Sequence, residues 1–586
     1  MRTIFKSINA LLLLLVMLAA PSCTDLTEMN VNPNTLDPNS ISTRFVLSKV
    51  ISASVMHNTN MVFGYGVDQA VTLEAMQYLQ RDYLEAEVTN TFLWFNQAWG
   101  TNGTGFSSIL SDNAYLAKRA TGETDEAFYL AVSLIMKSYW SAYMTSAWGD
   151  IPYSQAMKAE DGILKPVYDE QKQVFKGILA DLEKANELLT GATVTTLVAA
   201  ADPLYAGNVT KWRQLANSLQ LRYLLRLSEK ATDMQAIGVD VKAKFSAIVG
   251  NSTKYPIITA SADNAEVKFP GGTPAASFPG GPLNMTNRNN FYRRKPAATI
   301  IDFLKSHRDP RLTRWIRPVD VQLLVRSTGT EAGLIVKEAD GKVKRYLKTY
   351  TAGVDTSLYV GLPAAHPSPS SYNRNEASLL SRIKEVDPSI YVDAAANPFV
   401  SYLADSYAMD TDPLVKSIFM TSSEVNFILA EAVVRTWIPG SALDYYKKGI
   451  TESLAQYSIS DGAQMVYNPV THKTEAFNLA AFLARAEADY SAATDKLEPI
   501  LTQAWVAGWF TSDTWFSWRK TGYPNLGKNL ISASKGDKIP VRYGYGDPEK
   551  LRNGENTNAA ITHLTPAVDD QWSKMWLIEG TGKPWN

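Results

Sequence analysis

The sequence predicts an all-α fold in which helical hairpins form an α–α superhelix and pack against a large, irregular, loop-rich half. Apolar residues recur at helical spacing in the first and last parts of the chain, whereas proline and glycine runs interrupt the middle. We therefore expect a single domain over residues 23–586. It would comprise an N-terminal helical scaffold (23–253), an irregular insert (254–421) that is the candidate ligand region, and C-terminal helical hairpins with a closing motif (422–586).

The N-terminal scaffold is predicted from stretches with apolar residues at i, i+3 and i+4, the spacing of one helix face. In residues 211–219, Trp212, Leu215 and the small Ala216 follow the order found in the first helix of a tetratricopeptide (TPR) repeat. There a small residue lets the second helix approach closely. This segment therefore predicts a TPR-like hairpin.

A second partial repeat begins the C-terminal part. Residues 423–432 have helical spacing, and Ala442, Tyr446 and Gly449 then reproduce the small, aromatic, small spacing of a second TPR helix. The two copies predict TPR-like helical hairpins. An ordinary helical bundle remains the alternative, because the copies do not recur at a clean period of about 34 residues.

The irregular insert contains three segments that cannot be helix interiors. They are 269–274, 278–282 and 362–370, which are rich in proline and glycine. Proline lacks the backbone donor and glycine costs backbone entropy, so we expect loops there. Long loops in compact domains often carry binding function.

Cys23 is the only cysteine, and it lies directly behind the apolar run 10–20, which follows Arg2 and Lys6. These are the parts of a secretory signal peptide, and the run is too short to span a bilayer. We expect residues 1–22 to be removed and Cys23 to carry lipid. The alternative is a chance thiol near an ordinary cleavage site.

The lipid would be the only membrane attachment, because no later run reaches about 18 apolar residues. With one cysteine, the mature chain has no intrachain disulfide. The net charge of −1, from 57 basic and 58 acidic residues, shows no electrostatic footprint for a nucleic-acid partner.

Catalytic signatures are absent from the sequence. No H-E-x-x-H pair, Walker loop or G-x-S-x-G elbow occurs, and Asp410-Thr411-Asp412 is interpreted as turn chemistry rather than a cation loop. The histidines are far apart in sequence: His57, His307, His366, His472 and His563. We expect no enzyme, metal or cofactor. A glycosidase-like pair of carboxylic acids remains an alternative, because such a pair is defined by the distance between its side chains in the fold and not by their spacing in the sequence.

The aromatic content, 14 Trp, 28 Tyr and 20 Phe, favours a ligand with an apolar face, such as a sugar ring. Most rings will be core, so the candidates are those in Gly-, Pro- or Asn-rich loops. The candidate ligand contacts form two groups: Trp94, Asn96, Trp99 and Asn102, then Arg288, Phe291, Tyr292 and Trp315.

Several segments together resemble the SusD/RagB-like outer-membrane lipoproteins of Bacteroidota, in particular the SusD-like branch. The W-x-D-I-P-Y turn stands at 148–153, and the remaining landmarks follow in their usual order at 309–312, 423–432, 515–524 and 539–549. The resemblance runs from Cys23 to near the C-terminus.

The resemblance implies four TPR-like hairpins beside a less regular half, displayed on the extracellular side of the outer membrane by a lipid anchor. It implies capture of oligosaccharides, or in some branches peptides, for a SusC-like TonB-dependent transporter. The landmarks Trp148, Pro152, Asp309 and Arg311 would fix turns and internal ion pairs. A surface glycoside hydrolase and a purely structural scaffold are the rival classes.

Overall fold

A computed structural model describes most of the chain. The described residues are 41–63, 71–81, 90–94, 97–100, 105–285, 287–393, 395–526, 535–536 and 538–583. The expected signal peptide, Cys23, Asn96 and Asn102 lie outside them.

The N-terminal scaffold is helical, as its apolar spacing predicts. Its helices are α1 (Thr43–Phe63), α2 (Val71–Ala75), α3 (Gly105–Ala120), α4 (Glu126–Trp148), α5 (Gln171–Leu189), α6 (Thr196–Ala199), α7 (Val209–Arg226), α8 (Ala231–Ala236) and α9 (Val241–Gly250). Successive long helices pack side by side, α3 on α4, α4 on α5 and α5 on α7. This is the hairpin arrangement of a helical superhelix.

Helix α7 shows why the TPR-like pattern folds as it does. Asn208 caps its start, because the side chain accepts a hydrogen bond from the Lys211 backbone amide at 3.0 Å. Trp212 is fully buried, and its indole N–H donates to Asp202 at 2.8 Å. The aromatic residue of the pattern is therefore core.

The middle of the chain contains short helices between loops. They are α10 (Asn289–Tyr292), α11 (Ala298–Ser306), α12 (Arg311–Trp315) and α13 (Ala377–Val386). Single 3-10 turns occur here and elsewhere, at Ala159–Asp161, Ser228–Lys230, Ser261–Asp263, Pro274–Ala276, Pro369–Arg374 and Asp405–Ala408.

Short β-strands, which the sequence analysis did not predict, also occur. They are β1 (Leu79–Arg81), β2 (Ala265–Lys268), β3 (Arg294–Pro296), β4 (Ile316–Arg317), β5 (Val321–Val325), β6 (Ile335–Lys337), β7 (Val343–Leu347), β8 (Tyr402–Leu403), β9 (Lys416–Met420), β10 (Met465–Asn468) and β11 (Lys473–Ala476). Strands β1 and β3, β2 and β9, β4 and β8, and β10 and β11 form antiparallel pairs.

Strands β5, β7 and β6 form a small mixed sheet, with β5 parallel and β6 antiparallel to β7. Val321 and Leu323 on alternate positions of β5 pack with Ile383 of α13 and Phe399 into a small core of their own. Part of the predicted insert is thus a compact unit rather than loop.

The C-terminal part returns to helical hairpins. Its helices are α14 (Ser422–Val434), α15 (Ala442–Gln456), α16 (Leu479–Ala492), α17 (Leu497–Ala507), α18 (Asp513–Thr521), α19 (Asp547–Arg552) and α20 (Gly554–Ile561). Helix α14 packs on α15 and α17, and α15 packs on α16.

The hairpin of α14 and α15 explains the small residue of the second TPR-like pattern. A Cβ placed on Gly449 would lie 2.9 Å from the Phe427 ring of α14, so only glycine permits this approach without movement. The Ser423 hydroxyl donates to the Gly449 carbonyl at 2.7 Å. The predicted all-α class with TPR-like hairpins and a less regular half is confirmed.

Buried polar contacts hold the landmark residues in place. The Arg311 guanidinium binds the Asp309 carboxylate at 2.6 Å with both side chains fully buried, and Trp148 donates to the backbone oxygens of Gln97 and Gly544 at 3.0 and 3.1 Å. These landmarks are scaffold, as expected. No helix in the described part of the chain is long and apolar enough to cross a membrane.

Candidate functional site

Three tyrosines from the middle of the chain meet at one place, which we call the tyrosine cluster: Tyr292, Tyr391 and Tyr402. The rings of Tyr292 and Tyr391 stack with centroids 3.7 Å apart and planes at 11°. The Tyr402 ring meets Tyr292 edge to face at 5.0 Å. Tyr292 and Tyr391 are half-buried, whereas Tyr402 is fully buried.

Local structure positions each ring. Tyr292 ends the one-turn helix α10, two residues before β3 begins, and Tyr402 begins β8, which pairs with β4. The Tyr391 hydroxyl donates to the Asn289 side-chain oxygen of α10. Two strand pairs and one side-chain hydrogen bond therefore fix rings that are distant in sequence.

Cations surround the tyrosine cluster. The Lys295 ammonium lies 3.8 Å from the centroid of Tyr402, and the Arg317 guanidinium lies 5.0 Å from it. The exposed Arg288 guanidinium lies 5.9 Å from the centroid of Tyr292. These distances allow cation–π attraction, which orders the rings and leaves N–H donors beside them.

Arg317 pairs with two carboxylates of this region. Its guanidinium pairs with Asp320 at 3.2 Å and with Asp405 at 3.1 Å. Burial raises the pKa of Asp320, and the opposing effect of Arg317 and Lys295 is smaller. The carboxylates therefore act in positioning Arg317 beside the rings.

The arrangement matches what a neutral, polyhydroxylated ligand requires. An aromatic surface accepts the C–H face of a sugar ring, while guanidinium and amide groups bind hydroxyls at its edge. Among the described residues, no group of three or more His, Cys, Asp or Glu is placed to hold a metal ion.

Of the second predicted group, Tyr292 and Arg288 lie in the cluster, but two predicted rings do not face solvent. Trp315 ends α12 with 0% of its surface exposed, and its ring stacks on Trp509 at 4.9 Å with planes at 2°. Phe291 is 2% exposed. The prediction that these rings are loop side chains near solvent is wrong, because packing of α10 and α12 turns them into the core.

The described members of the first predicted group, Trp94 and Trp99, lie apart from the tyrosine cluster. Trp94 is 9% exposed and packs edge-on against Trp515 and Tyr543, so it too is core and the expectation of an exposed ring is wrong. Trp99 is half-buried and lies 5.4 Å from the ring of Tyr168. Among the described rings, no contact joins Trp94 or Trp99 to the tyrosine cluster.

Sequence reasoning missed Tyr391, Tyr402, Arg317 and Lys295. The criterion that selected Tyr292 also fits Tyr391, which follows an Asp-Pro-Ser turn at 387–389. No local signal marks the other three, because strand pairing brings them together.

A second charged space lies inside the helical half. A cavity of about 90 Å³ is lined by side chains of α7, α14, α17 and α18, among them Arg222, Glu424 and Lys520. Arg222 pairs with Glu424 at 2.5 Å and Lys520 with Glu431 at 2.6 Å. The charged side chains that line this cavity are paired with one another. We therefore interpret the cavity as part of the packing between helices.

Comparison with known proteins places these features in context. Residues 33–546 match the sequence model of the SusD-like family described as "Starch-binding associating with outer membrane". No curated protein matches the chain.

Solved structures share the fold. A SusD homolog of Bacteroides fragilis is 23% identical, with a TM-score of 0.68, covering 92% of this chain and 100% of its own. A Bacteroides vulgatus outer membrane protein described as involved in nutrient binding is 23% identical, with a TM-score of 0.65 and coverages of 92% and 100%. A chitin-binding protein is 20% identical, with a TM-score of 0.62 and coverages of 92% and 99%.

Proposed function

This chain belongs to the SusD-like family, and we propose that it captures oligosaccharides outside the cell and delivers them to a SusC-like TonB-dependent transporter. The tyrosine cluster is the observation that carries the proposal. It offers half-buried rings, an exposed guanidinium and side-chain amides at the edge of the irregular half.

The proposed contacts are Tyr292, Tyr391 and Arg288, with Asn289 at the rim. Trp99 remains a proposed contact of the first group, and Asn96 and Asn102 remain proposals on sequence grounds alone. Stacking contributes about 0.5 to 1.5 kcal/mol per favourable contact beyond buried area, so a few rings give micromolar or weaker affinity. Such affinity suits a protein that must also release its ligand.

The family description and the chitin-binding relative support a glycan as the ligand class. We therefore propose binding without catalysis. An oligosaccharide array, followed by calorimetry on the soluble chain, identifies the ligand. The proposal expects saturable binding and no new reducing ends. Release of reducing ends would establish a hydrolase, and binding of peptides alone would establish a peptide-capturing protein.

Membrane attachment through Cys23 is part of the proposal, and it rests on the apolar segment ahead of that residue. Cys23→Ala should release the protein from the membrane pellet while its melting temperature stays unchanged. Failure of radiolabelled palmitate to enter the natural protein would overturn this part alone.

Delivery requires a stable partner, and the side-by-side helices supply an extended surface for one. We expect an interface well above about 1,600 Å², the standard size, because the complex would be permanent. Affinity capture from mild-detergent extracts should recover one large barrel protein in near-equal amount. Recovery of this chain alone would contradict delivery without affecting capture.

A further inference from the structure

A groove of about 350 Å³ lies on the helical half, between the C-terminal end of α11 and helices α15, α16 and α17. We call it the His307 groove. Its lining includes Phe303, His307, Tyr446, Asp489, Glu498 and Gln503. None of these side chains belongs to the tyrosine cluster, and nothing in the proposed function uses them.

Aromatic rings form the walls of the His307 groove. The rings of Phe303 and His307 stack with centroids 4.0 Å apart. Tyr446, which also lines the groove, stacks its ring on that of Tyr490 at 5.6 Å. Ring faces carry negative potential and attract cations.

Two carboxylates at the groove lack a permanent cationic partner. Within the part of the chain that the structure describes, Asp489 forms an ion pair with His307 alone, at 3.9 Å, and that ring carries charge only when protonated. Glu498, exposed in the first turn of α17, makes no ion pair among the described residues. The His307 groove therefore has negative charge that is not neutralised within the fold.

Two basic side chains near the groove, on Lys496 and Arg485, bind backbone oxygens. The Lys496 ammonium donates to the backbone oxygens of Tyr490, Ser491 and Ala493 at 2.8 to 3.0 Å. Arg485 donates to the His307 backbone oxygen. These cations satisfy carbonyl groups, so they do not neutralise the groove carboxylates directly.

Two buried polar side chains also have unused hydrogen-bonding capacity at the groove. Gln503 is 5% exposed, and its side-chain oxygen accepts from Arg311 at 2.8 Å. Because a guanidinium only donates, this contact fixes the amide orientation and leaves the NH₂ group free to donate. Tyr446 is 2% exposed, and its hydroxyl makes no hydrogen bond within the described chain.

We propose that the His307 groove binds a small ligand with a protonated amine beside a hydroxyl or carbonyl oxygen, as in amino sugars and amino acids. The amine would lie between the ring walls and bind Asp489 and Glu498. The neighbouring oxygen would accept from the Gln503 amide and the Tyr446 hydroxyl. The carboxylate charge and the ring faces both favour the amine, and the free donors require the neighbouring oxygen.

The test is calorimetry on the soluble chain at low salt, with glucosamine and glycine amide as probes and glucose as the amine-free control. At least one amine should bind at least tenfold more tightly than glucose, and its affinity should fall as salt rises. Preference for glucosamine assigns the groove to amino sugars, and preference for glycine amide assigns it to amino acids. Equal, weak binding of all three would overturn the proposal.

Variants locate the site. Asp489→Asn combined with Glu498→Gln should weaken amine binding at least tenfold, and Tyr446→Phe about threefold. Asp444→Asn removes an exposed, unpaired carboxylate on α15 outside the groove and should change nothing. Tyr292→Ala should also leave amine binding unchanged. Natural affinity in the Asp489/Glu498 double variant with an unaltered melting temperature would contradict the assignment.

Discussion

The ring of Tyr292 stacks on the ring of Tyr391 at 3.7 Å, and this contact ties helix α10 to the loop that precedes β8. Each ring uses one face for the other, and neither is fully buried. A rigid, half-exposed aromatic pair binds with little loss of side-chain freedom, because its rotamers are already fixed.

Replacement of Gly449 tests the close helix contact of the C-terminal hairpin. Gly449→Ala places a methyl group 2.9 Å from the Phe427 ring, and we expect a loss of about 1 to 3 kcal/mol in unfolding free energy from overpacking. Chemical denaturation measures it. Gly250→Ala is the matched control, because a Cβ there meets nothing within 4 Å.

The contact between Gly449 and Phe427 also predicts that the effects of two substitutions on the unfolding free energy are not additive. Phe427→Leu should remove the obstruction, so the double variant should lose less stability than the two single variants together. Simple addition of the two losses would show that the methyl group at position 449 is accommodated elsewhere.

The buried pair of Asp309 and Arg311 should be costly to break. Arg311→Met leaves an unpaired buried carboxylate, and we expect a loss of about 3 to 5 kcal/mol in unfolding free energy. Lys118→Met, which breaks an exposed pair with Glu160, should leave stability unchanged. Equal effects of the two substitutions would contradict the assignment of Arg311 as internal scaffold.

The burial of His57 predicts that the fold loses stability in acid. Burial lowers the pKa of His57 to about 4, and its ring packs 4.5 Å from Phe106 and 5.1 Å from Trp140. Because the folded pKa lies below the ordinary value of about 6.5, its contribution is complete above pH 6.5 and is lost as pH falls toward 4.

We expect this loss to reach about 2 to 3 kcal/mol. The stability of His57→Phe should fall less than that of the natural protein over that range, as denaturation of both at pH 7, 6, 5 and 4 would show. Parallel curves for the natural protein and the variant would mean that His57 does not titrate in this way.

The hairpins could be predicted because their signals are local. Trp212 with Ala216, and Tyr446 with Gly449, encode a ring and a close approach within one or two helical turns. The small sheet of β5, β6 and β7 could not be predicted from the sequence, because β5 and β7 pair in parallel across an intervening strand and turns. Short strands carry too few residues for a clear alternation.

The site could be predicted only in part. The loop context of Tyr292 and Arg288 led to the tyrosine cluster, which stays a proposed site, whereas the same reasoning wrongly expected Trp315 and Trp94 near solvent. Burial of Trp315 depends on Trp509, far along the chain. Such distant packing leaves no mark in the residues around position 315.

Trp315→Ala therefore serves as a control for the tyrosine cluster, because it should change stability and not ligand binding. Trp315→Ala should cost about 3 to 5 kcal/mol of unfolding free energy, because it removes a fully buried ring. At a temperature where the variant is still folded, its affinity for oligosaccharide should be unchanged. Lost affinity for oligosaccharide in a folded Trp315→Ala protein would show that the Trp315 ring takes part in ligand binding.

Calorimetry of the oligosaccharide identified by array, on the natural chain and on Tyr292→Ala and Tyr391→Ala, tests the central claim most directly. We predict that each substitution weakens binding at least fivefold, as expected from a stacking contribution of about 1 kcal/mol, with less loss of melting temperature than Trp315→Ala. Unchanged oligosaccharide affinity in both folded tyrosine variants would contradict the claim that this cluster captures the ligand.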